Sequence, residues 1–197
     1  MGKSRIRIGL LGYGTVGSAF VDLLESQKST ILLRTGLELV VTHVAVSDLN
    51  KDRPGLDAQT LLTDKPSEVI KNNEVDLVVE LMGGLLPARD LVKAALENNK
   101  PVITANKELL SKEGNISSLA GERNVDLLFE AAVAGGIPLI RVLRQSLLGS
   151  LLKRSWGSLM APQTIFFLKW KKRLCRIVRR YWRHKSWVMQ KVTPRLT

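Results

Sequence analysis

Residues 12–17 read Gly-Tyr-Gly-Thr-Val-Gly, a G-x-G-x-x-G spacing set between an apolar, β-branched run from Ile6 to Leu11 and a helix-length amphipathic stretch from Val16 to Leu33. Strand, glycine turn and helix in that order constrain this chain more than any other feature, because each glycine does a different job. The first, Gly12, permits the tight turn. The second, Gly14, lets backbone N–H groups approach a pyrophosphate, and the third, Gly17, lets helix and strand pack closely, with the positive end of the helix dipole facing the anion. Without its flanks the same spacing is an ordinary glycine-rich turn; with them it is a dinucleotide-binding turn.

The rest of the first 150 residues repeats that alternation. Strand-length apolar runs (Ile6 to Leu11, Leu39 to Val46, Val75 to Glu80, Pro101 to Thr104, Val125 to Glu130) are separated by amphipathic stretches of helix length (Val16 to Leu33, Pro87 to Asn98, Ser111 to Arg123, Ile137 to Leu148). This is the pattern of βαβ units in a parallel sheet. Pro87 falls in the first turn of its helix, where a missing N–H costs nothing. The expected fold is α/β, a Rossmann-type doubly wound parallel sheet over residues 1–150, followed by an irregular or partly helical basic tail over 151–197.

In such sheets ligands sit outside the carboxyl ends of the strands. Past the second strand, Asp48 is the acidic candidate for an adenosine 2′-hydroxyl, and Lys51 and Arg53 are candidates for a 2′-phosphate. Each is as readily part of a solvated polar loop, so the sequence does not choose NAD over NADP. Leu81-Met-Gly83-Gly84 is a turn with little side-chain bulk, suited to close approach of a cofactor. Thr104-Ala-Asn106-Lys107 presents an amide and an ammonium just past a strand, where the cation meets a phosphate or carbonyl oxygen. Glu130-Ala-Ala-Val133-Ala-Gly135-Gly136-Ile137-Pro138 has few side chains to hydrogen-bond, which leaves its carbonyls free to turn toward a hard cation beside the Glu carboxylate. Taken alone, that segment is also a glycine-rich loop capping the next helix.

In order, G-x-G-T-V-G, E-L-M-G-G, V-I-T-A-N-K and F-E-A-A-V-A-G-G-I-P-L-I-R make the first 150 residues resemble the cofactor-binding domain of homoserine dehydrogenase. The resemblance implies NAD(P)-dependent interconversion of L-homoserine and L-aspartate 4-semialdehyde, on the route to threonine and methionine. It implies that Tyr13, Thr15 and Val16, beside the three glycines and Gly83, touch the nucleotide. Lys107 would meet the nicotinamide end or the substrate, and is the one catalytic candidate left in this chain. Glu130 and the backbone of Val133, Gly135 and Ile137 would hold a monovalent cation, sodium. It also implies a homodimer, but the family's dimerisation and substrate region, with further catalytic groups, has no counterpart after Gly149, so the chain as written is expected to bind cofactor without turnover.

The net charge of +12 on its own points to phosphate-rich partners. By segment it is uneven: residues 1–150 hold 17 Lys+Arg against 18 Asp+Glu, net −1, whereas residues 151–197 hold 13 Lys+Arg and no acid. All four tryptophans (Trp156, Trp170, Trp182, Trp187) and the one cysteine, Cys175, also lie in that tail. Phe167, Trp170, Leu174, Ile177, Val178, Tyr181 and Trp182 recur at helical spacing among its lysines and arginines. That is the profile of a basic amphipathic helix on a membrane surface or nucleic acid, and it supports an alternative reading, a non-catalytic nucleotide-binding module with a cationic tail.

A second account of the tail is preferred. Back-translating V-N-G-T-T-N-Y-I, a loop of the resembled family, and reading one base late yields Leu159 to Phe166. The adjoining K-V-M-G-I yields Arg154 to Ser158, and L-E-A-Q-E-L-G-Y-A-E-x-D-P-T-A-D yields Trp182 to Thr197. Glutamate codons shifted by one base spell lysine and arginine, so an acidic helix becomes a basic one. Residues from about 150 onward therefore read as a frame-shifted continuation of a dehydrogenase gene, expected to have low order, with only a local helix or hairpin and no specific nucleic-acid partner.

A single cysteine excludes an internal disulfide framework, and no run approaches the roughly 18 to 20 apolar residues of a membrane span. The basic-then-apolar start, Lys3 to Leu11, is interrupted by Gly12, Gly14 and Gly17 and lacks a small-residue cleavage site, so it does not read as a signal peptide. The expected location is the cytoplasm.

Overall fold

Strand β1 (Ser4–Leu11) is central to a parallel sheet, paired with β2 (Leu37–Ala45) on one side and β4 (Leu77–Glu80) on the other. These features come from a computed structural model, which describes residues 4–133 and the backbone of 156–161 and 164–169. A short strand β3 (Leu61–Thr63) lies outside β2, and β5 (Val102–Thr104) and β6 (Leu127–Leu128) extend the sheet beyond β4, every pair parallel. The order is β3-β2-β1-β4-β5-β6. It reverses direction at β1, so the connections leaving β1 and β4 diverge and open a crevice above their carboxyl ends, the ligand position of doubly wound sheets. The expected α/β fold is the observed one.

Side-chain alternation along the strands builds two apolar layers. Leu11, Val78 and Val102 pack with Val69 and Ile70 of α3 (Pro66–Lys71), Val92, Ala95 and Leu96 of α4 (Ala88–Glu97), Leu109 of α5 (Lys107–Lys112), and Ile116 and Ala120 of α6 (Ile116–Arg123). On the other face Ile8, Leu10, Val44 and Val79 pack with Val21 of α1 (Thr15–Ser26). Each fully buried aliphatic side chain stabilises by roughly 1.5–3 kcal/mol, and these two layers hold the strand ends that carry the site.

Several boundaries differ from the sequence reading. The stretch Val16 to Leu33 is two helices, α1 and α2 (Lys28–Thr35), broken at Gln27 with φ −103° and ψ 7°. The second piece ends at the left-handed Gly36, φ 71°, which leads directly into β2. Ser111 to Arg123 is replaced by α5 and α6, because Asn106 caps a helix that begins four residues earlier and the chain breaks again before Asn115. Pro87 stands one place before its helix, and its carbonyl accepts from the N–H groups of Asp90 and Leu91, both at 3.1 Å. The fifth predicted strand shrinks to Leu127–Leu128, followed by a 3-10 turn at Glu130–Ala132. The edge strand β3 and helix α3 have no counterpart in the sequence reading. Leu61 and Leu62 are both well exposed, at 59% and 40%, so β3 carries no alternating burial signal.

In the tail, β7 (Trp156–Ala161) and β8 (Thr164–Lys169) pair antiparallel, Trp156 opposite Lys169 and Ala161 opposite Thr164. The helical spacing read from Phe167 onward therefore starts inside a strand, where an aromatic and β-branched run (Thr-Ile-Phe-Phe-Leu) favours extended backbone. The remainder of that pattern, and the predicted helix Ile137 to Leu148, lie outside the described residues.

At the amino end of the sheet Asp76 ties the entry of β4 to β1. Its Oδ2 accepts from the Arg7 backbone N–H at 2.8 Å and from Arg7 Nε at 3.0 Å, and its Oδ1 accepts from Arg7 Nη2 at 3.0 Å. The hydrogen bond from the guanidinium holds the Asp76 carboxyl below the usual carboxylate range, against an opposing push from burial. A depressed carboxyl contributes stability above its unfolded pKa of 3.8 and loses it as pH falls through the folded value. Asp76→Asn is therefore expected to lower stability at pH 7 by about 0.5–1 kcal/mol, a figure already discounted for solvent screening. Urea midpoints of the two proteins measured from pH 7 down to pH 3 should converge at the acid end; a constant gap would show that the loss is not electrostatic.

Candidate functional site

The glycine turn follows β1 directly, at the point where the strand order reverses. Gly12 has φ +97°, a left-handed conformation that L side chains rarely adopt, and a Cβ there would stand 3.0 Å from the Leu81 carbonyl oxygen. Its N–H donates to the Ala45 carbonyl at 3.0 Å. Gly17 is buried at the start of α1, where a Cβ would lie 2.3 Å from the Gly12 carbonyl oxygen. The turn and the helix thus touch backbone to backbone. Gly14, by contrast, is the exposed N-cap of α1, and a Cβ there would meet nothing within 4 Å. That open space lies over the first turn of a twelve-residue helix, whose leading N–H groups have no partner within the helix. Thr15 and Val16 beside it are exposed, Val16 at 58%. The shape and the donor set fit a pyrophosphate.

Tyr13 is half-buried, and its hydroxyl donates to the Pro54 carbonyl at 3.3 Å, joining the glycine turn to the loop after β2. Burial pushes its phenol pKa up; Asp22 adds to that rise and Arg53 opposes it. In the same loop Asp48 Oδ1 accepts from the Asn50 N–H at 2.9 Å. The Arg53 guanidinium donates to the carbonyls of Asp48 and Lys51, and its buried Nε has no hydrogen-bond partner among the described residues. Lys51 is exposed. The adenosine-side candidates are thus one carboxylate engaged in a local turn, one exposed ammonium and one guanidinium folded onto its own loop.

The loop after β4 is adjacent to the glycine turn, since the Leu81 N–H donates to the Leu11 carbonyl at 2.9 Å. Gly83 and Gly84 are both exposed and left-handed, φ +75° and +71°. Beneath them is a group that sequence reasoning passed over as the last residue of a strand. Glu80 is fully buried; its Oε1 accepts from the N–H groups of Met82 (2.9 Å) and Gly83 (3.3 Å), and its Oε2 accepts from the Thr104 hydroxyl (2.5 Å). Thr104 Oγ1 in turn accepts from the Asn106 N–H at 3.0 Å. The Asn106 side chain donates to the Gly84 carbonyl at 2.6 Å and caps α5 by accepting from the Leu109 N–H at 3.1 Å. The signal that would have found Glu80 is an acid closing a run of apolar strand residues, since a buried charge requires a full set of partners.

Lys107 is the first residue of α5 and is exposed, immediately after the buried Asn106. The structure therefore brings the glycine turn, the Gly83 loop and the Lys107 turn to one end of the sheet. Glu130 opens the 3-10 turn and is half-buried, with its carbonyl accepting from the Val133 N–H at 3.2 Å. Gly135 and Ile137 lie outside the described residues, so half of the expected cation set is placed. A carboxylate with backbone carbonyls is an oxygen donor set suited to a hard cation. Among the described residues no three His, Cys, Asp or Glu side chains converge as a metal site, and no helix is long and apolar enough to cross a membrane.

Residues 12–130 match the family model described as homoserine dehydrogenase, NAD binding domain. The homoserine dehydrogenase of Corynebacterium glutamicum is 42% identical over 155 residues, 78% of this chain and 35% of that protein. The Bacillus subtilis homoserine dehydrogenase is 36% identical over 153 residues, 77% of this chain and 35% of that one. Among solved structures, a homoserine dehydrogenase from Thiobacillus denitrificans superposes with a TM-score of 0.69 at 45% identity, covering 74% of this chain and 34% of that one. A hyperthermophilic archaeal homoserine dehydrogenase in complex with NADPH superposes with a TM-score of 0.60 at 25% identity, covering 74% of this chain and 50% of that one. The chain spans about a third of the length of the curated relatives it matches. With the glycine turn at the switch point of a parallel sheet and these matches over the same residues, the chain belongs to the homoserine dehydrogenase family.

Proposed function

We propose that residues 1–150 form the cofactor half of a homoserine dehydrogenase, binding NAD(P) across the crevice above β1 and β4. The observation that carries this reading is the open approach at Gly14 over the start of α1, with Gly12 and Gly17 packed against backbone on either side. When bound, the nicotinamide supplies or accepts a hydride at its C4. The chain's own residues do the rest. The first-turn N–H groups of Thr15, Val16 and Gly17 bind the pyrophosphate, and Tyr13 lies along the adenosine side. Gly83 leaves room for the nicotinamide ribose, and the Lys107 ammonium polarises the carbonyl oxygen of the semialdehyde. Glu130 with the carbonyls of Val133, Gly135 and Ile137 is the donor set we assign to a monovalent cation, sodium by chemical class.

The substrate pair we assign to the complete enzyme, a cytoplasmic homodimer in the family, is L-homoserine and L-aspartate 4-semialdehyde; residues 1–150 carry its cofactor half alone. Residues from about 150 to 197 we read as a frame-shifted continuation of the same dehydrogenase gene. The matched share of this chain, 77–78%, and the +13 charge of the last segment support that division.

Fluorescence titration of the full chain with NADPH and with NADH tests the cofactor reading: saturable binding to at least one is expected, without homoserine-dependent reduction of NADP or NAD. Absence of binding to both overturns it. The coding DNA tests the tail, since one frame over past codon 150 it should spell N-G-T-T-N and then L-G-Y-A-E. Salt-sensitive nucleic-acid binding that a chain ending at Gly149 loses would instead support a selected cationic tail.

A further inference from the structure

Glu80 and Thr104 are 24 residues apart in sequence and lie side by side at the carboxyl ends of β4 and β5, which pair Glu80 with Thr104 in register. Both are fully buried. Their hydrogen bonds close a ring: Glu80 to the N–H groups of Met82 and Gly83, Gly84 carbonyl to the Asn106 side chain, Asn106 N–H to Thr104, and Thr104 back to Glu80. Loops are ordinarily the more mobile parts of a fold. Here the loop after β4 and the turn that leads to Lys107 share one buried carboxylate. The side chains of the ring stay below the surface, while Gly83 and Lys107, the groups it carries, are both exposed.

Resting on the cofactor reading above, we propose that Glu80 is a positioning residue. Through Thr104 and Asn106 it locks the two loops into one body, so that Gly83 and Lys107 meet the nicotinamide half of the dinucleotide together. The adenosine half is held separately, by the glycine turn and the loop after β2. The ring therefore acts on affinity for the nicotinamide end and not on affinity for the adenosine end.

Thr104→Val removes the hydroxyl with little change of shape, and Thr104→Ser restores it. The full chain and both variants are titrated with NADPH and 2′,5′-ADP, and with NADH and ADP. Thr104→Val should weaken the dinucleotide by about tenfold, the scale of one buried hydrogen bond, and shift the adenosine fragment by less than about twofold. Thr104→Ser should recover most of the loss. Hydrogen exchange should show the Met82 and Gly83 amides faster in Thr104→Val, although neither bonds to Thr104. Failure of the unaltered chain to bind NADPH or NADH overturns the cofactor reading and this inference with it. Binding by the unaltered chain, with Thr104→Val losing dinucleotide and fragment equally or losing neither, overturns the inference alone, as does unchanged exchange at Met82 and Gly83.

Discussion

Gly17→Ala is expected to abolish dinucleotide binding and destabilise the chain, and Gly14→Ala to weaken binding with stability unchanged. The two glycines are three residues apart in one motif, yet their surroundings are opposite. At position 17 the added carbon would stand 2.3 Å from the Gly12 carbonyl oxygen, a backbone atom held by the Gly12 N–H bond to Ala45. Backbone cannot swing aside as a flexible side chain can, so either α1 moves away from β1 or the turn loses its shape. Overpacking of this kind costs about 1–3 kcal/mol, and the displaced turn removes the donors from the anion. At position 14 the added carbon meets, among the described residues and beyond its chain neighbours, no atom within 4 Å, and the backbone, φ −88° and ψ −158°, is one that alanine adopts. On the cofactor reading, the pyrophosphate takes that space. A loss of NADPH affinity of about tenfold or more is expected for Gly14→Ala, roughly 1.4 kcal/mol, with an unchanged urea midpoint. Equal binding by Gly14→Ala and the unaltered chain would remove Gly14 from the pyrophosphate site.

The second large effect is expected at Glu80. Truncation to alanine strands one buried donor, the Thr104 hydroxyl, and releases the part-buried N–H groups of Met82 and Gly83 toward solvent. An unsatisfied buried donor costs about 1–3 kcal/mol, so Glu80→Ala should lose about 2 kcal/mol. Glu80→Gln is milder. Its amide oxygen still accepts from Met82 and Gly83, and its amide N–H faces a Thr104 hydroxyl that can turn to accept; the expected loss is about 1 kcal/mol. Urea unfolding followed by circular dichroism measures both. If Glu80→Ala falls within about 0.5 kcal/mol of the unaltered chain, a small fraction of what stranded donors cost, the ring is not holding the sheet ends.

The sequence by itself determined the fold class and pointed to the carboxyl ends of the strands as the candidate site. Those properties are local: the spacing of Gly12, Gly14 and Gly17, the alternation of apolar residues along β1, β2 and β4, and the run from Thr104 to Lys107 each report on a few neighbouring residues. It also showed the charge break at residue 150, which composition alone reveals. The break at Gln27, the short edge strand β3 and the early start of α5 were not legible, because helix periodicity continues across a bend and a three-residue exposed strand carries no pattern. Glu80 was hidden for a deeper reason. Its meaning depends on Thr104, and the two meet only because β5 lies beside β4 in the sheet order and pairs with it in register. Tertiary structure alone decided that contact, and with it which loops act as one: a charge can be buried only where donors from distant parts of the chain converge, and convergence is a property of topology and not of spacing along the chain.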